Sequence, residues 1–190
     1  RTARRDRNRE AVLDAVVELF TEDSLTPTAQ DVAERSGVSL RSVYRYYEDL
    51  DELARAAIAH HVQRVDPLFE LDDLGQGSLD DRIARLVAHR VALYEAIAPT
   101  ARAALARARS SELIRDQLQA RRRRLLEQIR RMFQPELVSL PPGERREVVA
   151  ALDLLLGFEG VEHLRRQLGF SAAATRRALT RAVGALLRDR

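Results

Sequence analysis

Cysteine is missing from all 190 residues, which excludes a disulfide framework, thiolate metal sites and a cysteine nucleophile. Lysine is missing too, so all 32 basic residues are arginine. Such usage fits a GC-rich coding sequence and by itself says little about function. Histidine is scarce, and none of His60, His61, His89 and His163 stands four residues from another, the spacing a helical zinc pair needs. Aromatic residues make up only 5% of the chain. No apolar run approaches the roughly 20 residues of a membrane-spanning helix, and no signal-peptide pattern is present. The chain opens on Arg1 rather than methionine, so the native start is expected to lie upstream. These absences predict a cytoplasmic, non-membrane protein without a metal or cofactor.

Apolar residues make up 45% and charged residues 32% of the chain, enough for a core and a hydrated surface. The net charge is only +3, so its distribution matters more than its sum. Arg1, Arg4, Arg5, Arg7 and Arg9 crowd the first nine residues against Asp6 alone. Arg35, Arg41 and Arg45 then stand in an acid-free stretch. Residues 1–50 nonetheless hold 8 basic against 10 acidic side chains. Any contact with nucleic acid therefore falls to a short arm and one helix.

Strand patterns are nearly absent and helical periodicity is everywhere, which predicts an all-α fold of about nine helices. Val12, Val16, Leu19 and Phe20 form an apolar stripe opposite Glu10, Asp14 and Glu18. Thr26-Pro27-Thr28 predicts a turn and a helix cap. A short helix should run from Thr28 to Ser36 and stop at Gly37, and another from about Ser39 to Tyr47. A longer one should follow to Val65-Asp66-Pro67. Leu68 to Ser78 is the most linker-like stretch. A long helix carrying Ile83, Leu86, Val87, Val91 and Tyr94 is expected to stop before Pro99, where a helix of small residues opens. Ser110 or Ser111 should cap the next, and a final pair should span about 144–168 and 171–188.

The block from Asp31 to Tyr44 is the informative one. Ala33, Gly37 and Val43 sit where a helix-turn-helix needs a small inward residue, a turn residue tolerant of positive φ, and an anchor for the second helix. Val38 and Val43 face the stripe of residues 12–20. Ser39, Arg41, Ser42, Arg45 and Tyr46 then point outward, as on a helix presented to a major groove. The three-residue pattern alone is a weak signal; its continuation sharpens it.

Val43-Tyr44-Arg45-Tyr46-Tyr47 with Leu50 and Leu53, after a leading helix ending Glu18-Leu19-Phe20, resembles the N-terminal domain of TetR-family transcriptional regulators. The resemblance covers about Arg9 to Leu53. It implies a helix-turn-helix DNA-binding domain over 1–50 and a helical ligand-binding and dimerisation domain over 51–190. It also implies roles for single residues. Thr28 caps the second helix and offers its hydroxyl or N–H to a phosphate. Gln30 is placed for a phosphate or base edge. Arg41 and Arg45 are the candidates for bidentate guanine readout. Ser39, Ser42, Tyr44 and Tyr46 are expected on the DNA backbone, which positions without specifying. Tyr47 is expected in the core, with core packing also the alternative for Tyr44. The arginine arm either enters a minor groove or is a disordered, solvated tail. Four departures stand out: Ser24 replaces the usual glycine after the first helix, with a shorter loop. Arg41 stands at a glycine position, Tyr47 at a phenylalanine, and Leu50 at a phosphate-binding lysine.

In the second half, residues 148–158 are apolar nearly all round, broken by Asp153, and such a helix must be covered on two sides. The last helix has a narrower stripe at Leu179, Ala182, Val183 and Leu186. Leu152, Leu155, Leu179, Val183 and Leu186 are thus expected in a two-fold, four-helix interface of a homodimer, the pair the resemblance also implies. Polar groups on apolar faces point to a ligand pocket at His89, Tyr94, Glu159 and His163; for each, a satisfied core or surface role is the alternative. Gly157 and Gly160 bring helices close or open room. The mostly aliphatic surroundings suit an apolar small molecule. Arg121-Arg122-Arg123-Arg124 spans more than one turn and is expected to be a solvated face, with a second polyanion site the alternative. The function predicted is a sequence-specific regulator of double-stranded DNA with a pseudo-palindromic operator, a repressor released by ligand. The alternatives are a constitutive DNA binder and, from another class, an α-helical enzyme. No paired carboxylates, nucleophile–base pair, phosphate loop or metal spacing supports the enzyme.

Overall fold

The structure, a computed structural model, describes residues 2–22, 24 and 26–188. Among these are ten α-helices and no strand: α1 (Thr2–Thr21), α2 (Ala29–Ser36), α3 (Leu40–Tyr46), α4 (Leu50–Val65), α5 (Leu79–Arg107), α6 (Glu112–Met132), α7 (Gln134–Val138), α8 (Pro142–Leu155), α9 (Phe158–Glu162) and α10 (Ala172–Arg188). A 3-10 turn, Asp66–Phe69, follows α4, and a π-helical turn, His163–Gln167, follows α9. No helix among the described residues is long and apolar enough to cross a membrane.

The chain forms two compact units, one of residues 1–67 with 99–118 and the other of 68–98 with 119–190. In the first, α1 packs on α2 and α4, and α2 on α3. Val12, Val16, Leu19 and Phe20 meet Val32, Val38, Val43 and Tyr47 in one core, joined by Leu53, Ala57 and Ile58 of α4 and by Ala103, Ala104 and Ile114. Asp14 of α1 ties down α4 through Arg64 (2.6 Å) and His60 (3.2 Å). The Arg107 guanidinium lies over the Phe20 ring at 5.5 Å. In the second unit, Ile83, Leu86, Val91, Ile129, Met132, Phe133, Leu152 and Leu156 are buried, and α8 packs on α10.

Three expectations need correction. The first helix begins at Thr2, so the described part of the arginine arm is helical rather than a disordered tail; arginine is a good helix former, and the arm continues into the amphipathic α1. Pro99 does not end a helix: α5 runs unbroken through it, and the packing boundary between the units falls there instead. Burial of Tyr94 on one side and of Ala103 and Ala104 on the other offsets the roughly 3 kcal/mol an interior proline costs. The helix expected over 144–168 is broken into α8, α9 and the π turn. Gly157 leaves the helical region (φ −80°, ψ 166°) to cap α9. The backbone folds back so closely that a Cβ at Gly157 would stand 2.7 Å from the Asp153 carbonyl oxygen, and one at Gly160 2.6 Å from that of Leu154. Only glycine fits either place.

Candidate nucleic-acid interface

The turn between α2 and α3 is built from local chemistry. Thr28 and Asp31 form a reciprocal cap at the start of α2: the Thr28 N–H and hydroxyl donate to the Asp31 carboxylate (2.9 and 2.7 Å), and the Asp31 N–H donates to the Thr28 hydroxyl (3.2 Å). These bonds hold the Asp31 carboxyl below the usual carboxylate range. At the other end Gly37 takes φ 67°, ψ 12°, a left-handed conformation that turns the chain into Ser39 at the head of α3. Arg35 reaches back to α1 and the segment after it, bonding Glu22 at 2.8 Å and pairing with Glu18 at 3.5 Å. That bond lowers the Glu22 carboxyl and raises the guanidinium.

α3 divides cleanly. Val43 on the helix and Tyr47 just past it are buried, while Arg41, Tyr44 and Arg45 are exposed and Ser42 and Tyr46 half-buried. Tyr44 is 57% exposed against 3% for Tyr47, so the two tyrosines separate as expected. The Arg45 guanidinium sits over the Tyr46 ring at 5.2 Å and leans on Ser42 and the Tyr46 hydroxyl. Arg45 pulls that hydroxyl below its ordinary range, with Asn8 and Arg5 of α1 adding to the effect. Arg9 lies over the Tyr47 ring at 5.7 Å. The first turns of α1 therefore bring Arg5 and Arg9 beside α3 and widen its basic face. Arg41 is exposed and makes no hydrogen bond or ion pair among the described residues. Gln30 donates to Glu34 at 2.7 Å.

Of the four ligand candidates, Tyr94 and Glu159 come near each other, the Tyr94 ring meeting Phe158 edge-on at 5.7 Å. Tyr94 is buried, donates to the Leu156 carbonyl (3.1 Å) and is pushed up to about 12 by burial. His89 bonds the Leu68 and Glu70 carbonyls through Nε2 (2.9 and 3.0 Å). Glu159 and His163 are exposed, His163 against Gln167. A groove of about 470 Å³ opens next to His89's partner Glu70, walled also by Leu71, Asp72, Asp73, Leu74, Gln128 and Arg131 among others. The stretch after Pro67 is thus no free linker: Phe69 is buried, with its carbonyl held by Gln128 at 2.7 Å. Two buried arginines of α5 escaped the sequence reading. Arg82 is clamped bidentately by Glu136 (2.5 and 2.8 Å) and also donates to the Met132 carbonyl. Arg90, 0% exposed, donates to Gln128 (2.8 Å), the Leu125 carbonyl (3.0 Å) and His89 Nδ1 (3.1 Å). The sequence signal was there: Arg90 falls on the stripe of Ile83, Leu86, Val87 and Tyr94, where a polar residue should be conspicuous.

The arginine run is spread around α6 rather than massed. Arg122 pairs with Asp153 at 2.7 Å, Arg124 pairs with Glu70, and Arg123 is exposed. Of the expected dimer residues, Leu152, Leu179 and Val183 are at most 2% exposed within the single chain. They serve its own core and have no surface to offer a partner. Leu155 and Leu186 are half-buried, and Leu154, which the sequence reading did not select, is 70% exposed. No group of three or more candidate ligands among the described residues is arranged to hold a metal ion.

The described residues are all helical or irregular, with a capped helix-turn-helix whose second helix is basic and outward, an arrangement also found in DNA-binding proteins. The fold is that of a crystal structure from Rhodococcus sp. described as a TetR-family transcriptional regulator: TM-score 0.68 at 19% identity, covering 95% of this chain and 98% of that one. A transcriptional regulator from Rhodococcus sp. Rha1 matches with TM-score 0.62 at 20% identity, over 97% and 96% of the two chains. In sequence, 83 residues are 34% identical to the HTH-type transcriptional repressor LfrR of Mycolicibacterium smegmatis, 44% of this chain and 43% of that repressor. No family model matches the chain. The proteins it resembles are transcriptional regulators rather than enzymes.

Proposed function

We propose that this chain is a sequence-specific DNA-binding transcriptional regulator of the TetR type, acting as a repressor and reading a pseudo-palindromic operator as a homodimer. The observation that carries this reading is α3: one face is locked into the core by Val43 and Tyr47, and the other presents Arg41, Tyr44 and Arg45 to solvent. Arg41 and Arg45 read base edges; Ser39, Ser42, Tyr44 and Tyr46 hold the phosphate backbone. Thr28 and Gln30 join them once their hydrogen bonds to Asp31 and Glu34 give way to phosphate. The N–H groups of the first turn of α2 face the same anion. Arg5 and Arg9 extend the contact along α1.

One such head gives little affinity, and two on a common axis give operator spacing. Residues 1–50 supply the head and 51–190 the remainder. Dimerisation uses the outward sides of α8 and α10, with Leu154, Leu155 and Leu186 in place of the buried leucines. A chromosomal target places the protein in the cytoplasm. A small-molecule ligand releases it by binding one conformation more tightly than the other; the groove of the second unit supports this part of the reading.

Selection of bound sequences from a random DNA pool tests the proposal directly and should return an inverted repeat. Arg45→Ala should cost about 1–3 kcal/mol of discrimination at one base pair of each half-site, with helicity and dimer unchanged. Selectivity untouched by that substitution would refute the recognition-helix assignment.

A further inference from the structure

Buried charges in proteins are paired or they are functional. The second unit holds two buried arginines, and their surroundings differ. Arg82 has the Glu136 carboxylate. Arg90 is completely buried, yet among the described residues no carboxylate lies within ion-pair distance of it; its Nε, like that of Arg82, has no hydrogen-bond partner. Its three acceptors are neutral: an amide oxygen, a carbonyl and an imidazole nitrogen. One of them, Gln128, is also a wall of the 470 Å³ groove. A single side chain thus stands between open volume and a guanidinium whose nearest charge compensation, from Asp153, comes from beyond ion-pair distance.

We propose that this unit binds a small organic monocarboxylate, its charge seated on Arg90 and its body in the groove beside Leu71 and Leu74. Exchanging the Gln128 amide oxygen for a carboxylate turns a neutral hydrogen bond into a charge-assisted one and matches the planar fork of arginine. The groove wall limits the charge. Glu70, Asp72, Asp73 and Glu127 line it beside Arg124 and Arg131; with Glu70 paired to Arg124 and Glu127 to Arg130, Asp72 and Asp73 disfavour anions in proportion to their charge, phosphates and other polyanions most. A monoanion with an apolar body meets both conditions. The ligand class moves accordingly from apolar to amphiphilic and anionic. This deepens the ligand-responsive reading above and rests on it only for the effect on DNA.

The test uses the full chain with octanoate and benzoate, each set against its neutral amide, by calorimetric titration and thermal melting. At least one acid should bind and raise Tm, with its amide weaker by about tenfold or more, and Arg90→Gln should lose the response. No binding by either acid, or equal binding of acid and amide, overturns the proposal. Gln128→Glu, which sets a carboxylate of the chain's own on Arg90, decides the matter if Arg90→Gln does not fold. Acid binding should then drop by about tenfold or more, and unchanged affinity overturns the site. Operator release is measured separately. An acid that binds without releasing DNA supports the carboxylate site and overturns the regulatory reading alone.

Discussion

The recognition helix and the long helix α5 use the same residue in opposite ways. On α3, Arg41 and Arg45 stand exposed, Arg45 touching only Ser42 and Tyr46 of its own helix, so their removal disturbs little packing. On α5, Arg82 and Arg90 point into the second unit, where each must be satisfied by the protein itself. A surface arginine is defined by what it can reach; a buried one by what has been built around it. Arg82 was given a carboxylate and Arg90 was not, so only the first is explained by the fold.

The contrast can be broken most forcefully at Arg82. Arg82→Met strands the Glu136 carboxylate, which Arg82 holds well below its usual range, and should lower unfolding stability by about 3 kcal/mol. Arg45→Ala should change it by less than about 0.5 kcal/mol. Comparable losses in urea unfolding of the two variants would end the distinction between solvent-facing and load-carrying arginines.

A smaller effect is expected at the turn that presents α3. Gly37→Val should cost about 1–2 kcal/mol, a purely conformational penalty because nothing lies within 4 Å of a Cβ there. Gly37→Asn should recover much of it, since asparagine tolerates the left-handed region. If valine and asparagine melted alike, backbone strain would not be what the glycine relieves.

The smallest expected effect is one of pH. Burial, and then the adjacent Arg90 charge, lower the His89 pKa from its ordinary 6.5. The ring is neutral, its Nε2–H shared between the Leu68 and Glu70 carbonyls and Nδ1 accepting from Arg90. The unfolded chain therefore takes up a proton first as pH falls. Stability should be full above 6.5 and decline below it until the folded histidine also titrates. His89→Gln should flatten that part of the profile, and an unchanged slope in denaturant midpoints between pH 7.5 and 5 would remove His89 as its source.

What the sequence made legible was local. Thr28, Asp31 and Gly37 lie within ten residues, and a cap and a turn are decided by neighbours that close. Tyr44 and Tyr47 also sorted as expected, although the helical period does not separate residues three apart: Tyr47 lies just past α3, where extended backbone turns its ring into the core. Where packing between distant segments decides, the pattern misled. Pro99 carries a local penalty that burial along α5 overrides. The apolar run of residues 148–158 promised one long helix, but Gly157 and Gly160 admit a backbone approach that no periodicity encodes. Leu152, Leu179 and Val183 are correct as apolar stripes and wrong as a shared surface, because a stripe does not say whose core it enters. Arg90 was legible as a polar residue on the apolar stripe of α5, but the Gln128 that satisfies it lies 38 residues away on α6, and no local pattern pairs the two.

Gly37 has one more property, and it concerns handedness. Its φ of 67° and ψ of 12° lie close to the mirror image of a residue in a right-handed helical turn. A D-alanine at this position, introduced by chemical synthesis of the head, would sit at its own conformational minimum. It would deprive the unfolded chain of glycine's freedom without straining the folded one. The bend that aims α3 outward is thus a place where inverted stereochemistry would stabilise a natural protein.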